Sequence, residues 1–435
     1  MIMEELISNI NIAVYIILLL ITFIIYQKKK GYFDSGSVLL LSYLFYSVMS
    51  LLLYNYPFFV FTFKPIRLFP FVYLYLMLML TALPIFKYDQ NKIQQIQRPN
   101  TLLFNAISIV FIFVSLIQIP AIISEFKNSI VELMTVSSAG QDMYNEAMEN
   151  SYSTGDGNIA NLASVITNAY GYFGVLLFFY YLTLDNRNKL ITLGLLLSNV
   201  FVVFTYISLG QRGPIVELLL SMIITYFALK KFYSPVINKV VKRIGVAIVV
   251  MISVPLIALT NSRFSDNMDG SLSSVYYYVG QENLYFNNYG LDNGGIRYGD
   301  RVVPLFKRML GFDNIPNNFW ERRDKYPDLE INDEVFIGVI GDFTLDFGPF
   351  VGAAILLVFT IAVLRKTRVQ NGEILFHQLI LIHFVMNMYM VGGMKLHPFS
   401  DTGGNLQLIM YFLGYMTFKI DYVVSRYKNR YLFIN

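Results

Sequence analysis

The chain has 435 residues, of which 55% are apolar and 14% charged, and its mean hydropathy is +0.52. A soluble protein covers its surface with charged residues at about a quarter of its positions, so this composition argues against a cytosolic enzyme, a nucleic-acid-binding protein or a fibre. The net charge of +4 is small, and the chain has no cysteine, which removes disulfides, iron–sulfur clusters, cysteine zinc sites and thiol nucleophiles together.

Apolar runs separated by charged, proline or glycine punctuation predict eleven helices, near 6–26, 37–54, 68–86, 101–123, 160–184, 190–209, 213–229, 244–260, 344–364, 374–391 and 404–418. Runs of roughly 17 to 25 apolar residues are long enough to cross a bilayer. The fold expected is an all-α polytopic membrane protein with a single membrane domain over 1–435. Glu4 and Glu5 precede the first run and no small-residue cleavage site follows it, so it reads as a retained span, not a signal peptide.

Positive residues collect in alternate connections. Lys28 to Lys30, Lys87, Lys92, Arg98, Arg187, Lys189, Lys230, Lys231, Lys239, Lys242, Arg243, Arg365, Lys366, Arg368 and four residues of the tail make 20 of the 33 lysines and arginines. The opposite short connections hold five. Cytoplasmic loops carry this excess, so the N-terminus is expected outside and the C-terminus in the cytoplasm.

Two longer segments fall on the external side. The first, 124–159, is acidic and ends in the run STGDGN. The second, 261–335, is read as a loop module with its own aromatics, among them Tyr276, Tyr277, Tyr278, Tyr285, Tyr289 and Trp320. No internal repeat is evident, which weakens an inverted-repeat transporter reading.

The residues able to carry chemistry lie mostly on that side. Arg212, in QRGP, stands on a tight turn, and Pro214 suits the first turn of the next helix, whose amino end favours an anion. Taken alone, Arg212 is equally a snorkelling anchor. In the long segment Arg297, Arg301, Lys307, Arg308, Arg322 and Arg323 fall within 27 residues. Guanidinium forks match phosphate oxygens, so this cluster beside a lipid interior suits a lipid-linked phosphate; the alternative is a solvated face balanced by nearby acids.

Asp342 and Asp346, in GDFTLDFG, are four apart and share one helix face. Asp342 is a candidate general base, and Glu282, among aromatics such as Tyr277 and Tyr285 that stack on sugar rings, is a second. His397 is the third, in a short external loop with Lys395 and Asp401, a set suited to binding an anion or moving a proton. His377 and His383 are six apart, roughly 120° around one helix, so they make no metal pair. No metal or nucleotide motif is present, and no cofactor is expected.

The predicted spans, the long external segment late in the chain, the Arg212–Gly213 pair at the outer end of a middle span and the stretch DEVFIGVIGDFTLDFGPFVG ahead of the next one are shared features of a family. In these the chain resembles, over most of its length, the bacterial O-antigen and capsule repeat-unit polymerases (Wzy-type). The resemblance implies a C-type glycosyltransferase fold in the bacterial cytoplasmic membrane, working without a metal on undecaprenyl-pyrophosphate-linked oligosaccharides at the outer face. Its partners would include a chain-length regulator and no nucleic acid. One lipid-linked glycan chain is transferred to the terminal sugar of a lipid-linked repeat unit. In that chemistry Arg212, Arg297, Arg301, Arg308 and Lys395 would hold the pyrophosphate, Tyr277 and Tyr285 the sugars, and Asp342, Glu282 or His397 would be the base. An O-antigen ligase shares donor and topology. A lipid-linked glycan flippase or a permease would place its charges inside the spans.

Overall fold

The computed structural model describes residues 2–56, 63–135, 138–152, 159–264, 271–331 and 335–432. The run STGDGN and the residues Asp333 and Glu334 lie outside the described residues.

The first four helices are α1 (Ile2–Lys30), α2 (Ser35–Tyr54), α3 (Leu68–Thr81) and α4 (Leu83–Lys87). Asp34 starts α2 through a reciprocal cap, accepting from Ser37 N at 2.9 Å while its own N–H donates to Ser37 Oγ at 3.1 Å. Strand β1 (Gln95–Gln97) precedes α5 (Thr101–Thr135) and α6 (Ala139–Tyr152). The segment expected as a first external loop therefore contains the end of α5 and all of α6. Next come α7 (Ile159–Tyr181), α8 (Lys189–Ser208), α9 (Gly213–Leu229) and α10 (Pro235–Phe264). The long second segment holds α11 (Ser271–Tyr289), α12 (Pro304–Met309) and α13 (Phe319–Lys325). The chain ends with α14 (Gly338–Phe347), α15 (Pro349–Lys366), strand β2 (Glu373–Leu375), α16 (Phe376–Val391) and α17 (Asp401–Leu432).

The protein is a helical, polytopic membrane protein. Among the described residues seven helices, α1, α2, α5, α7, α8, α10 and α15, are long and apolar enough to cross a membrane. The other four predicted spans also fall on helices, but α3, α9 and α16 have 14, 17 and 16 residues, and the apolar part of α17 is diluted by polar residues. At a 1.5 Å rise, helices of that length fall short of a hydrocarbon core of about 30 Å. Helix α16 is buried almost throughout and packs on α7, α9 and α17, so its apolar surface meets protein rather than lipid.

The positively charged connections meet at one end of the helices. Lys231 Nζ donates to the carbonyls of Gln90 (2.9 Å) and Ile93 (3.0 Å), Arg98 pairs with Asp185 (2.8 Å), and β1 pairs in parallel with β2. The residues singled out for chemistry gather at the other end.

Candidate functional site

Helix α14 organises the site. Asp342 and Asp346 lie one turn apart and both reach Arg297, whose Nη2 is 3.1 Å from Asp342 Oδ1 and whose Nε is 2.6 Å from Asp346 Oδ1. Arg297 is 2% exposed and both aspartates are fully buried. Asp346 also accepts the backbone N–H groups of Arg301 (3.1 Å) and Val302 (2.7 Å). Asp342 lies 3.3 Å from Arg301 Nε and accepts the N–H of His397 at 2.7 Å. Buried charges persist only when paired and hydrogen-bonded, and this network satisfies that condition. It ties the chain around 297–302, helix α14 and the loop after α16 into one body.

Two of the expected site residues meet each other here. Arg297, expected as a phosphate ligand, points inward onto two carboxylates. Asp342, expected as a candidate base, lies against two guanidinium groups, those of Arg297 and Arg301.

Glu282 differs. On α11, it is 2% exposed, and its Oε2 has no hydrogen-bond partner among the described residues. Its carboxyl faces Gly338, the first residue of α14, where a Cβ would overlap the carboxylate and where φ is +75°, so glycine is required twice over. Burial, and after it the charge on Asp342, pushes the Glu282 carboxyl well above its ordinary value. A carboxylate with raised proton affinity suits a base.

His397 is buried too. Its ring lies edge-on to Phe343 and Phe399, with centroids 5.3 and 5.9 Å away, and its Nδ1 lacks a partner among the described residues. Burial pushes its pKa down to about 4, with Arg301 adding in the same sense and Asp342 opposing, so the ring is neutral at neutral pH.

Two cations flank this group. Lys395 pairs with Glu217, which also accepts from Tyr172 Oη at 2.8 Å. The same loop bonds to α14, because Gly338 N–H donates to Lys395 O at 2.8 Å. The Cβ position of Gly213 lies 3.6 Å from both Lys395 Nζ and Glu217 Oε1, which puts Lys395 at the amino end of α9. Arg212, the residue before that helix, donates to Thr260 Oγ1 at 2.9 Å and stacks 4.7 Å above the ring of Tyr278. Both are thus held where the helix dipole favours an anion.

The remaining candidates lie apart. Arg308 is bound to Thr402 Oγ1 (3.0 Å) and Pro316 O (2.6 Å), fastening α12 to α17. Tyr285 is buried against Phe63, and Tyr277 stands beside Tyr278 with ring centroids 6.0 Å apart. Among the described residues no group of three or more His, Asp or Glu is arranged to hold a metal ion.

Sequence reasoning missed Glu217. A single carboxylate in the apolar run PIVELLL is costly inside a membrane unless partnered, and that was the available signal. Asp300, expected only as one of the acids balancing a solvated face, is fully buried and gathers Lys307, Lys325 at 2.6 Å and Tyr326 Oη at 2.8 Å, and so fixes the outer module. No protein-family model matches the chain, and neither a curated protein nor a solved structure matches it.

Proposed function

We propose that the protein is a membrane glycosyltransferase of the repeat-unit polymerase type. The observation that carries this reading is Glu282, a buried carboxyl with an unsatisfied oxygen; it lies against Gly338, whose N–H donates to Lys395 O, and its helix carries Tyr278, the ring on which Arg212 stacks. In the proposed reaction a sugar hydroxyl of one lipid-linked repeat unit attacks the anomeric carbon of a polyprenyl-pyrophosphate-linked chain. The new C–O bond forms as the bond to the pyrophosphate breaks, and Glu282 takes the hydroxyl proton. Charge grows on the departing pyrophosphate, and Arg212 and Lys395 at the start of α9 stabilise it more in the transition state than before. Arg297 has a positioning role here, holding α14 against the chain that carries Arg301. Because Glu282 is enclosed against Gly338, the acceptor reaches it only when the start of α14 parts from α11.

The site stands at the end opposite the positive connections, which supports an external active site, with the N-terminus outside and the C-terminus in the cytoplasm of a bacterial cell. A C-type glycosyltransferase fold and a chain-length regulator as partner belong to the same proposal. The test is gene deletion and complementation followed by glycan electrophoresis. Deletion should leave single-repeat products, wild type should restore the ladder, and Glu282→Gln at equal expression should not. Free lipid-linked polymer in the deletion strain would identify a ligase instead, absence of surface glycan a flippase, and a normal ladder from Glu282→Gln would remove Glu282 as the base.

A further inference from the structure

A cavity of about 580 Å³ lies far from this site, between the halves of α8, α9 and α10 nearest the positive end. Ligand pockets commonly measure about 300 to 1,000 Å³. Its walls are apolar, with Leu193 and Leu196 from α8, Met222 and Ile223 from α9, and Ile244 and Val249 from α10. Leu193 and Ile244 are 52% and 41% exposed, so the cavity is a groove open to the bilayer. Gly245 lines it, and a Cβ there would meet no atom within 4 Å. A glycine inside a helix is unfavourable relative to alanine, and here it leaves a notch in the groove wall.

The polar rim has one sign. Arg187, Lys189 and Lys242 all line the cavity, and none forms an ion pair among the described residues. Of the carboxylates at this end, Asp34 and Asp89 pair with Lys30 and Asp185 with Arg98, while Glu373 accepts from Gln95 and Asp421 accepts the N–H of Asn100 at 2.9 Å. Three uncompensated cations at the mouth of an apolar groove match a ligand with an anionic head and a hydrocarbon tail. Anionic phospholipids of the adjacent leaflet have both and are drawn to basic residues at a membrane surface.

We propose that this groove is a specific site for one anionic phospholipid, its acyl chain along α10 past Gly245 and its headgroup phosphate among Arg187, Lys189 and Lys242. The site does not depend on the proposed enzymatic reaction. Lipid seated there would join α10 to α8 and α9 across the groove.

The test is native mass spectrometry of the purified full chain, given equal amounts of dioleoylphosphatidylglycerol and dioleoylphosphatidylcholine. Wild type should keep one phosphatidylglycerol under activation that strips phosphatidylcholine. R187Q/K189Q/K242Q should lower that preference at least about tenfold, since each basic residue near a charged surface contributes about fivefold. Should the triple variant not be recovered folded, K242Q, at an exposed position, should still lower it about threefold to fivefold. Gly245→Phe, which fills the notch, should weaken retention of both lipids. K28Q/K29Q, removing two exposed cations at the same end, should change nothing. Equal retention of the two lipids by wild type, undiminished preference in the charge variants, or an equal loss in K28Q/K29Q would overturn the site.

Discussion

Replacing Arg297 by alanine separates a structural arginine from a ligand-binding one. The guanidinium lies 3.1 Å from Asp342 and 2.6 Å from Asp346, and the two carboxylates are fully buried. Removing one member of such a network leaves buried charge uncompensated and costs about 3 to 5 kcal/mol. Asp342 keeps Arg301 and the His397 N–H, and Asp346 keeps two backbone N–H groups, which places the loss at the lower end of that range. With an unfolding entropy of about 2.1 cal/mol/K per residue, that loss lowers Tm by roughly 3 °C if the whole chain unfolds together, and by more if only the outer module does. Arg297→Lys should fall between, since it keeps a charge but loses the planar fork that spans two carboxylates. Combining Arg297→Met with Asp346→Asn should recover part of the lost stability, because Asp342 keeps Arg301 and Asp346 no longer carries a charge. The assay is thermal unfolding of purified variants in one detergent, alongside glycan electrophoresis. An Arg297→Ala protein that melts like wild type yet makes no polymer would refute the structural role and return Arg297 to the ligand.

Arg212→Lys should melt near wild type but slow polymerisation roughly tenfold to a hundredfold, the range set by one charged hydrogen bond of about 1.5 to 3 kcal/mol; an unchanged rate would leave Arg212 as a helix anchor. The buried His397 has its pKa pushed from 6.5 to about 4, so the unfolded chain binds more protons between those values, and stability should fall by about 3 kcal/mol as pH drops through that window. His397→Gln should flatten that part of the Tm profile. Glu282 acts in the opposite sense: its pKa is raised above 4.5, so the stability its protonated form contributes is lost as pH rises, and Glu282→Gln should gain in Tm on wild type toward high pH. A constant gap between the two across pH would show that Glu282 titrates normally. Since the chain lacks cysteine, single cysteines report sidedness: Asp313→Cys, exposed in the outer module, should react with an impermeant thiol reagent on intact cells and Asn91→Cys, exposed at the positive end, should not. The reverse pattern would invert the orientation.

Much of the architecture was legible in the chain because burial in a membrane acts on composition. A span must be apolar over its length and a positive connection stays on one side, and both rules operate on local sequence. That is why all eleven apolar runs fall on helices and the basic connections meet at one end. The same rules do not tell a helix that faces lipid from one that faces protein: α16 is apolar and buried almost throughout, whereas α3, of similar composition, leaves Phe69 and Leu76 exposed. The site shows the same division. The four-residue spacing of Asp342 and Asp346 was readable, since a helix puts such residues on one face. The fate of their charge was not, because Arg297 comes from a loop dozens of residues earlier and only tertiary contact decides that it turns inward. Sequence left Glu282, Asp342 and His397 equivalent as bases. Their surroundings come from the fold alone: Asp342 meets Arg297 and Arg301, His397 sits between aromatic rings, and Glu282 is pressed against a glycine with no hydrogen-bond partner for its Oε2 among the described residues.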